Sequence, residues 1–440
     1  MSTLLPLRKN SRLKPLSPKR ATTVTVLDIG SSKIVCAIAR LKPIEAGNLL
    51  PHRTHNVDLI GFGHQRSRGV KSGVIVDMDA AEQSIRLAVD AAERMSGLTI
   101  ESLIVNISAG RLTSEAYAAS VAIDGHEVED ADIQRVLEAG SAHSIREGRS
   151  VVHSLPIGFS LDDATAIRDP RGMLGESLSV DMHVVSADSA PIRNILLCVE
   201  RCHLHVDAIV ATPYASGLSA LVDDEAELGA CIIDCGGGTT TLAVFQDGRF
   251  IHANAVPVGG HHITTDIAVG LSTPIQQAER LKTLYGSPLP CPSDEQEILT
   301  ITHVGDDADS PSQVPRAQLV KIIRPRVEEI LELTRDKLKA SGFLTQAGRC
   351  VVLTGGAAQL TGLNEVARRI LGRQVRVGRP LGVSGLPESA KGPAFATVFG
   401  LTIYPQVAQI EQLEPRKSQY QMTGTDGYIA RVGAWIRESF

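Results

Sequence analysis

Two short stretches carry the residue types that handle phosphate. The chain runs Cys231-Ile232-Ile233-Asp234-Cys235-Gly236-Gly237-Gly238-Thr239-Thr240-Thr241, an apolar run followed by an acid, three glycines and three threonines. Glycines let backbone N–H groups approach an anion closely, and threonine hydroxyls add further donors. The acid alone would repel a phosphate, and a divalent cation between them removes that repulsion. The same order recurs in shorter form in Val24-Thr25-Val26-Leu27-Asp28-Ile29-Gly30-Ser31-Ser32-Lys33. Either stretch by itself is as readily a tight hairpin with a strand-end aspartate. Two of them, about 200 residues apart, suggest a duplicated fold clamping one anion from both sides. A nucleotide's phosphates with Mg²⁺ need such a set of donors and acids. Lys33 adds a positive charge there, or is simply an exposed hairpin lysine.

A third stretch, Cys350 to Leu360, is an apolar strand ending in Gly355-Gly356-Ala357. There a flat adenine ring can lie against backbone; the plain alternative is a strand-to-helix turn. Glu279 and Lys282 share a helix face at i, i+3 and either hold a ribose or form an ordinary surface ion pair. His261 and His262 read as polar loop beside Gly259-Gly260. No Gly-x-Gly-x-x-Gly and no Gly-Lys-Ser/Thr occurs, which excludes a Rossmann fingerprint and a P-loop. Cys198, Cys202, His203 and His205 lack a second ligand cluster at zinc spacing, so buried cysteines on a core-facing helix are the default. No catalytic residue can be nominated.

The elements that would position these residues follow from periodicity. Residues 34–39 and 59–63 read as strands. A helix from Asp79, with a capping box to Glu82, buries Ala81, Ile85, Ala88, Ala92 and Met95 and stops at Gly97. Residues 99–182 read as an inserted α+β subdomain, with His153 and His183 as packing or surface histidines. Helices are expected over 189–201, 214–221, 262–271, 274–284, 363–371 and 392–404, with a solvated turn at Asp223-Asp224-Glu225. Residues 318–339 give one or two helices broken near Pro325. The last helix is rich in Ala and Gly, suited to close packing between halves.

Composition bounds the rest. A chain of 440 residues exceeds one core, and 43% hydrophobic against 21% charged residues marks a folded soluble protein. A net charge of −5 and scarce aromatics argue against nucleic acid as a partner. No run approaches the roughly 18 apolar residues of a membrane-spanning helix. Seven irregularly spaced cysteines indicate reduced thiols in a cytoplasmic protein. Residues 1–21 hold Arg8, Lys9, Arg12, Lys14, Lys19 and Arg20 and no acid, as a disordered arm does, or one that touches an anionic membrane. A polar linker, 406–426, leads to residues 427–440. There Ile429, Val432, Trp435 and Ile436 share a helical face with Tyr428 at its edge. This is the pattern of a helix lying in a membrane interface, with docking back on the protein as the alternative.

Taken in order, the three glycine-marked strand ends resemble the actin/Hsp70/sugar-kinase superfamily, and within it the FtsA family of bacterial division proteins. Leu27 to Lys33 looks like the first phosphate motif, Ile233 to Thr240 like the second, and Val352 to Leu360 like the adenosine motif. Arg324 to Ile330 is similar to the family's subdomain 2B helix. The resemblance implies an α/β, two-lobed actin-like fold of duplicated RNase H-like subdomains with an inserted α+β subdomain 1C. It divides the chain into an arm (1–21), subdomain 1A (22–98 and 183–217), 1C (99–182), 2A (218–257 and 345–405), 2B (258–344), the linker and the membrane-targeting tail. It implies ATP and Mg²⁺ in the cleft, held by Asp28, Gly30, Ser31, Ser32, Lys33, Asp234, Gly236, Gly237, Gly238, Thr239, Thr240, Glu279, Lys282, Gly355, Gly356 and Ala357. Asp28 and Asp234 would face the metal, through water. Self-association into short filaments, and binding of the FtsZ C-terminal tail near Arg326 and Glu329, are implied too. So are later division partners on subdomain 1C, and attachment to the cytoplasmic face of an anionic inner membrane at the division site. One departure touches activity. The family commonly has an acid where this chain has Thr241, so ATP binding is expected more firmly than hydrolysis, at most a weak ATPase. A sugar- or acid-kinase enzyme, or a pilus-type actin-like scaffold without a membrane tail, are the alternatives on the same fold.

Overall fold

The computed structural model describes residues 13, 15–44, 53–109, 111–141, 146–305 and 312–411. The apolar run before Asp28 forms β1 (Thr22–Ile29), which pairs antiparallel with β2 (Lys33–Pro43), and β2 with β3 (His55–Arg66). A small pair, β4 (Val70–Lys71) and β5 (Val74–Ile75), precedes α1 (Met78–Ser96). Helix α1 buries Ala81, Ile85, Ala88 and Ala92 against the sheet, whereas Met95 is exposed. Its cap is Asp77, which accepts from the Ala80 N–H at 3.1 Å, and not the expected Asp79. Gly97 ends it in the left-handed conformation. Strand β6 (Ser102–Ile107) then runs parallel to β1.

The inserted piece contains β7 (Thr113–Ala122), α2 (Asp130–Ser141), β8 (Arg149–Leu161), β9 (Ala164–Ile167) and β10 (Ser177–Asp188). Its strands are ordered β7-β10-β8-β9, with Ile133 and Val136 of α2 packed on Phe159, Leu178 and Val180. The expected start of this piece at residue 99 is corrected: β6 is a central strand of the first lobe's sheet, its apolar residues buried on both faces. The insert's last strand also runs on past 182 to Asp188. His153 and His183 are both buried; the His153 Nε2 accepts from the Ala211 N–H at 3.0 Å. Then α3 (Ser189–Arg201) returns the chain, and its Arg201 takes up Asp79 and Glu82 at 2.6 and 2.7 Å. Strand β11 (His205–Ala211) lies parallel to β6, and α4 (Thr212–Ala220) follows.

After α5 (Asp223–Leu228) the pattern begins again with β12 (Ala230–Cys235), β13 (Thr240–Gln246) and β14 (Arg249–Val256), all antiparallel. The expected solvated turn at 223–225 is thus a helix, whose Glu225 pairs with Arg376. Next come α6 (Gly260–Gly270), α7 (Ile275–Tyr285), the ribbon β15 (Ile298–Ile301) with β16 (Ser312–Pro315), and α8 (Arg316–Ala340). Helix α8 continues unbroken through Pro325, contrary to expectation. That proline lies on the exposed face, where water can satisfy the carbonyl it leaves unbonded, while Val327, Leu331 and Leu338 keep the opposite stripe buried. Strand β17 (Cys350–Thr354), α9 (Leu363–Leu371) and β18 (Gln374–Val377) complete this lobe.

The two sheets repeat one plan. The first runs β11-β6-β1-β2-β3 and the second β18-β17-β12-β13-β14, each with an antiparallel hairpin trio and two parallel strands added beside its first strand. A short β19 (Val383–Ser384) extends the first sheet next to β3. The insert joins the second sheet through one residue pair, Thr113 opposite Asn254. This is an actin-like fold of two duplicated lobes. Between them, α10 (Ala396–Glu411) crosses α4 so closely that a Cβ on Gly400 would stand 1.7 Å from the Ala215 carbonyl oxygen.

Both chain ends depart from expectation. Leu13 and Leu16 pack against the body and the Ser17 carbonyl lies 3.1 Å from His55 Nε2, so the arm is not free along all of 1–21. Helix α10 runs to Glu411, and Gln406 Oε1 accepts from the N–H groups of Thr54 and His55, both at 3.0 Å. The linker expected from 406 therefore begins no earlier than 412. The tail residues Tyr428, Ile429, Val432, Trp435 and Ile436 lie outside the described residues.

Candidate functional site

Both acid-bearing hairpins close with the same backbone bond. Gly30 N–H donates to Lys33 O at 3.0 Å, and Gly236 N–H donates to Thr239 O at 2.9 Å. Across the ladders, Asp28 faces Val35 and Asp234 faces Thr241, the same place in each repeat. The two turns meet head to head. A Cβ on Gly238 would stand 2.6 Å from Ser31 Oγ, and one on Gly237 would stand 3.2 Å from Ser32 Cβ. The glycines of the second turn leave room for the serines of the first. The first turn is tied to its own lobe by Ser31 Oγ, which accepts from the Gly73 N–H at 2.9 Å.

Both acids are buried, at 7% and 6% exposure for Asp28 and Asp234. Burial pushes the Asp28 carboxyl up from 3.8 to about 6; Lys33 opposes the shift and Asp234 adds to it. Burial also raises Asp234, against the bonds it accepts and the charge of Lys33. Its Oδ2 accepts from Ser216 Oγ at 2.5 Å and Thr397 Oγ1 at 3.0 Å, so the crossing helices α4 and α10 both hold this acid. Lys33 lies with its ammonium 4.9 Å from the centre of the Phe395 ring, a cation–π contact. Asn106 fixes the end of β1: its Oδ1 accepts from the Ile29 N–H at 2.7 Å and its Nδ2 donates to Thr212 Oγ1 at 3.1 Å.

The third glycine stretch closes on the second hairpin. Gly355 has φ 86°, and a Cβ there would stand 2.4 Å from Asp234 Oδ1. A 3₁₀ turn from Gly356 to Gln359 follows, and Ala357 Cβ lies 3.1 Å from the Cβ position of Gly260. On the other side, the first N–H groups of α6 are spent on the hairpin: Gly260 N–H donates to Gly236 O at 3.0 Å and His261 N–H to Gly237 O at 2.7 Å. The Glu279–Lys282 pair is no isolated surface bridge. Lys282 Nζ donates to Gly260 O at 3.1 Å, Thr264 Oγ1 at 2.8 Å and Glu279 Oε2 at 2.7 Å, and is largely buried. Burial works against charge on Glu279, yet the bonds from Lys282 and Thr264 hold its carboxyl below the usual value.

The structure thus brings Asp28, the turn 30–33, Asp234, the turn 236–240, Gly355 to Ala357 and the Glu279–Lys282 pair together as one contiguous group. Reading the sequence alone missed Ser216, Thr397, Asn106 and Phe395. Hydroxyls inside otherwise Ala- and Gly-rich helices are the only trace the first two leave. Thr241 is buried beside Asp234 with an unpartnered Oγ1. Arg326 and Glu329 lie apart, on α8; the guanidinium is shared between Glu329 and a bidentate contact to Asp266 at 2.6 and 3.1 Å. Among the described residues no three His, Cys, Asp or Glu gather as a metal cage. A Mg²⁺ would suit Asp28 and Asp234 only with water and phosphate oxygens completing its shell, the habit of that ion. A cavity of about 840 Å³ shares no residue with these turns.

Comparison with known proteins agrees with this layout. The family model described as "Cell division protein FtsA" matches residues 231–400, and "SHS2 domain inserted in FTSA" matches 109–186. The chain is similar to the cell division protein FtsA of Agrobacterium fabrum, 59% identical over 98% of this chain and 97% of that protein. It is 57% identical to that of Rhizobium meliloti over the same shares. Among solved structures, the PilM-PilN type IV pilus biogenesis complex aligns with a TM-score of 0.60 at 15% identity, covering 87% of this chain and 98% of the other. MreB5 of Spiroplasma citri bound to ADP aligns with a TM-score of 0.51 at 13% identity, covering 90% and 100%. At such identities these two speak for the fold alone.

Proposed function

The chain belongs to the family of the cell division protein FtsA, and from that premise we propose that it is an ATP-binding tether between FtsZ filaments and the cytoplasmic membrane. The observation that carries the nucleotide part is the pair of facing hairpins, closed alike, each backed by a buried acid. The glycine turns cradle the phosphates, with Ser31, Ser32, Thr239 and Thr240 supplying hydroxyl donors and Lys33 a charge. Asp28 and Asp234 face the cation, which when bound neutralises phosphate charge. Gly355, Gly356 and Ala357 form the floor for adenine, and Lys282 with Glu279 the ribose side. Because Thr241 brings no carboxylate, the site holds ATP and sets the angle between lobes more than it breaks the nucleotide down.

The tethering part is carried by the sequence of residues 427–440, where the single tryptophan joins an apolar helical face. The basic arm adds attraction to anionic lipid, about 1 kcal/mol per basic residue near the surface. FtsZ binding is assigned to α8 around Arg326 and Glu329, self-association to the two lobes, and later division proteins to the insert. Co-pelleting with FtsZ and anionic liposomes tests this. The full chain is expected to carry FtsZ down with the lipid, the chain lacking 427–440 to bind FtsZ but stay in solution, and loss of residues 1–21 to weaken lipid binding. A truncated chain that still pellets with liposomes would remove the tail from the account.

A further inference from the structure

The last turns of α10 form one wall of the 840 Å³ cavity, through Ile403, Gln406 and Val407. Leu155 and Phe159 of β8, Tyr214 of α4 and Phe245 of β13 supply apolar walls from the insert and both lobes. Charges of both signs line the cavity, five acids with Asp223 and Asp224 among them and four arginines, of which Arg53 lies close enough to Asp223 to feel its charge. The chain leaves α10 at this wall with residues 412–440 still to come. Fifteen residues, 412–426, separate it from the tail, a length with a root-mean-square span of about 20 Å. A 14-residue helix is itself about 21 Å long. A segment tethered so closely meets the cavity at an effective concentration in the millimolar range. Its chemistry is matched as well. Trp435 and the two isoleucines suit a cavity of this size, and the tail's mixed charge, Arg431, Arg437 and Glu438, meets a lining of both signs.

We propose that residues 427–440 seat their apolar face in this cavity when no membrane is present, so that docking and membrane binding compete for one surface of the tail. This rests on the amphipathic reading of the tail given above. Docking lowers the apparent membrane affinity by the fraction of chains that are docked, and a partner filling the cavity releases the tail.

Trp435 is the chain's only tryptophan, so its fluorescence reports on the tail directly. In the full-length protein without lipid, the emission is expected to be blue-shifted relative to a synthetic peptide of residues 427–440. It should be several-fold harder to quench with acrylamide, and independent of protein concentration. Ile157→Glu, which puts a charge on the cavity wall, should move emission and quenching to the peptide's values and raise binding to anionic vesicles; Ile157→Val should leave both unchanged. Peptide-like emission in the unmodified protein overturns the proposal. So does a blue shift that grows with concentration, which marks a second copy as the occupant, or an Ile157→Glu protein that melts normally with its emission unmoved. The membrane reading stands or falls separately. Peptide-like emission that shifts blue on adding vesicles keeps that reading and removes docking. Shielded emission that vesicles do not change, with no flotation, does the reverse.

Discussion

Asp28 states the site's electrostatics in one residue. Its carboxyl is raised from 3.8 to about 6, so the folded nucleotide-free protein holds that proton more tightly than the unfolded chain does. The stability this adds is complete below pH 4 and is lost as pH rises through 6. Above that the buried charge is a cost of about 3 kcal/mol. Asp28→Asn is therefore expected to stabilise the empty protein at pH 7.5 and to leave it nearly unchanged at pH 4, read from urea midpoints. A cation needs the ionised acid, so Mg-ATP affinity should fall below pH 6, by up to about tenfold per pH unit for one coupled proton, and Asp28→Asn should flatten that dependence. Thr241 makes a second residue-scale claim. With a hydroxyl where relatives of this fold are expected to carry an acid, phosphate release without partners should stay well under the ~1 s⁻¹ of ordinary enzymes. A fast colorimetric phosphate signal would contradict it. The acids and glycines were legible in the sequence because spacing alone marks them. Ser216 and Thr397 were not, since nothing in a row of residues says that two helices will cross over Asp234.

At the scale of elements, periodicity located most strands and helices, and the errors share a physical cause. From sequence β6 reads as part of the insert, because its apolar run suits any buried strand; only its parallel pairing with β1 places it in the first lobe. Pro325 reads as a break in sequence, yet a proline on the wet face of a helix whose other stripe is buried leaves the helix whole. Asp79 fitted a capping pattern, but Asp77 lies two residues earlier with the extended backbone a cap requires. The α4–α10 crossing is the element-scale feature on which the site depends, because both helices reach Asp234. Gly400→Val is expected to force them apart, costing about 1–3 kcal/mol or more in stability and weakening nucleotide binding together with it. Chemical denaturation and a nucleotide titration on the same sample check the pair of effects; a stable Gly400→Val protein with normal binding would detach the crossing from the site.

For the whole molecule, the repeated strand order explains why the candidate site needs two lobes: each contributes one of the two facing hairpins. The duplication was visible in the sequence only as two similar turns. The shared order of five strands in each lobe appears once pairing is known. The function proposed for this meeting of lobes is to hold ATP and so set how the lobes, the helix proposed to bind FtsZ and the tail are presented. Equilibrium binding of Mg-ATP to the full chain, beside Gly238→Val, tests it most directly. A valine at 238 must collide with the Ser72 backbone, 2.7 Å from the Cβ position, as well as with Ser31 Oγ of the facing turn. One saturable site is expected in the unmodified protein, and at least a tenfold loss in Gly238→Val with its fold retained. Absence of binding in the first, or equal affinity in both, would contradict it.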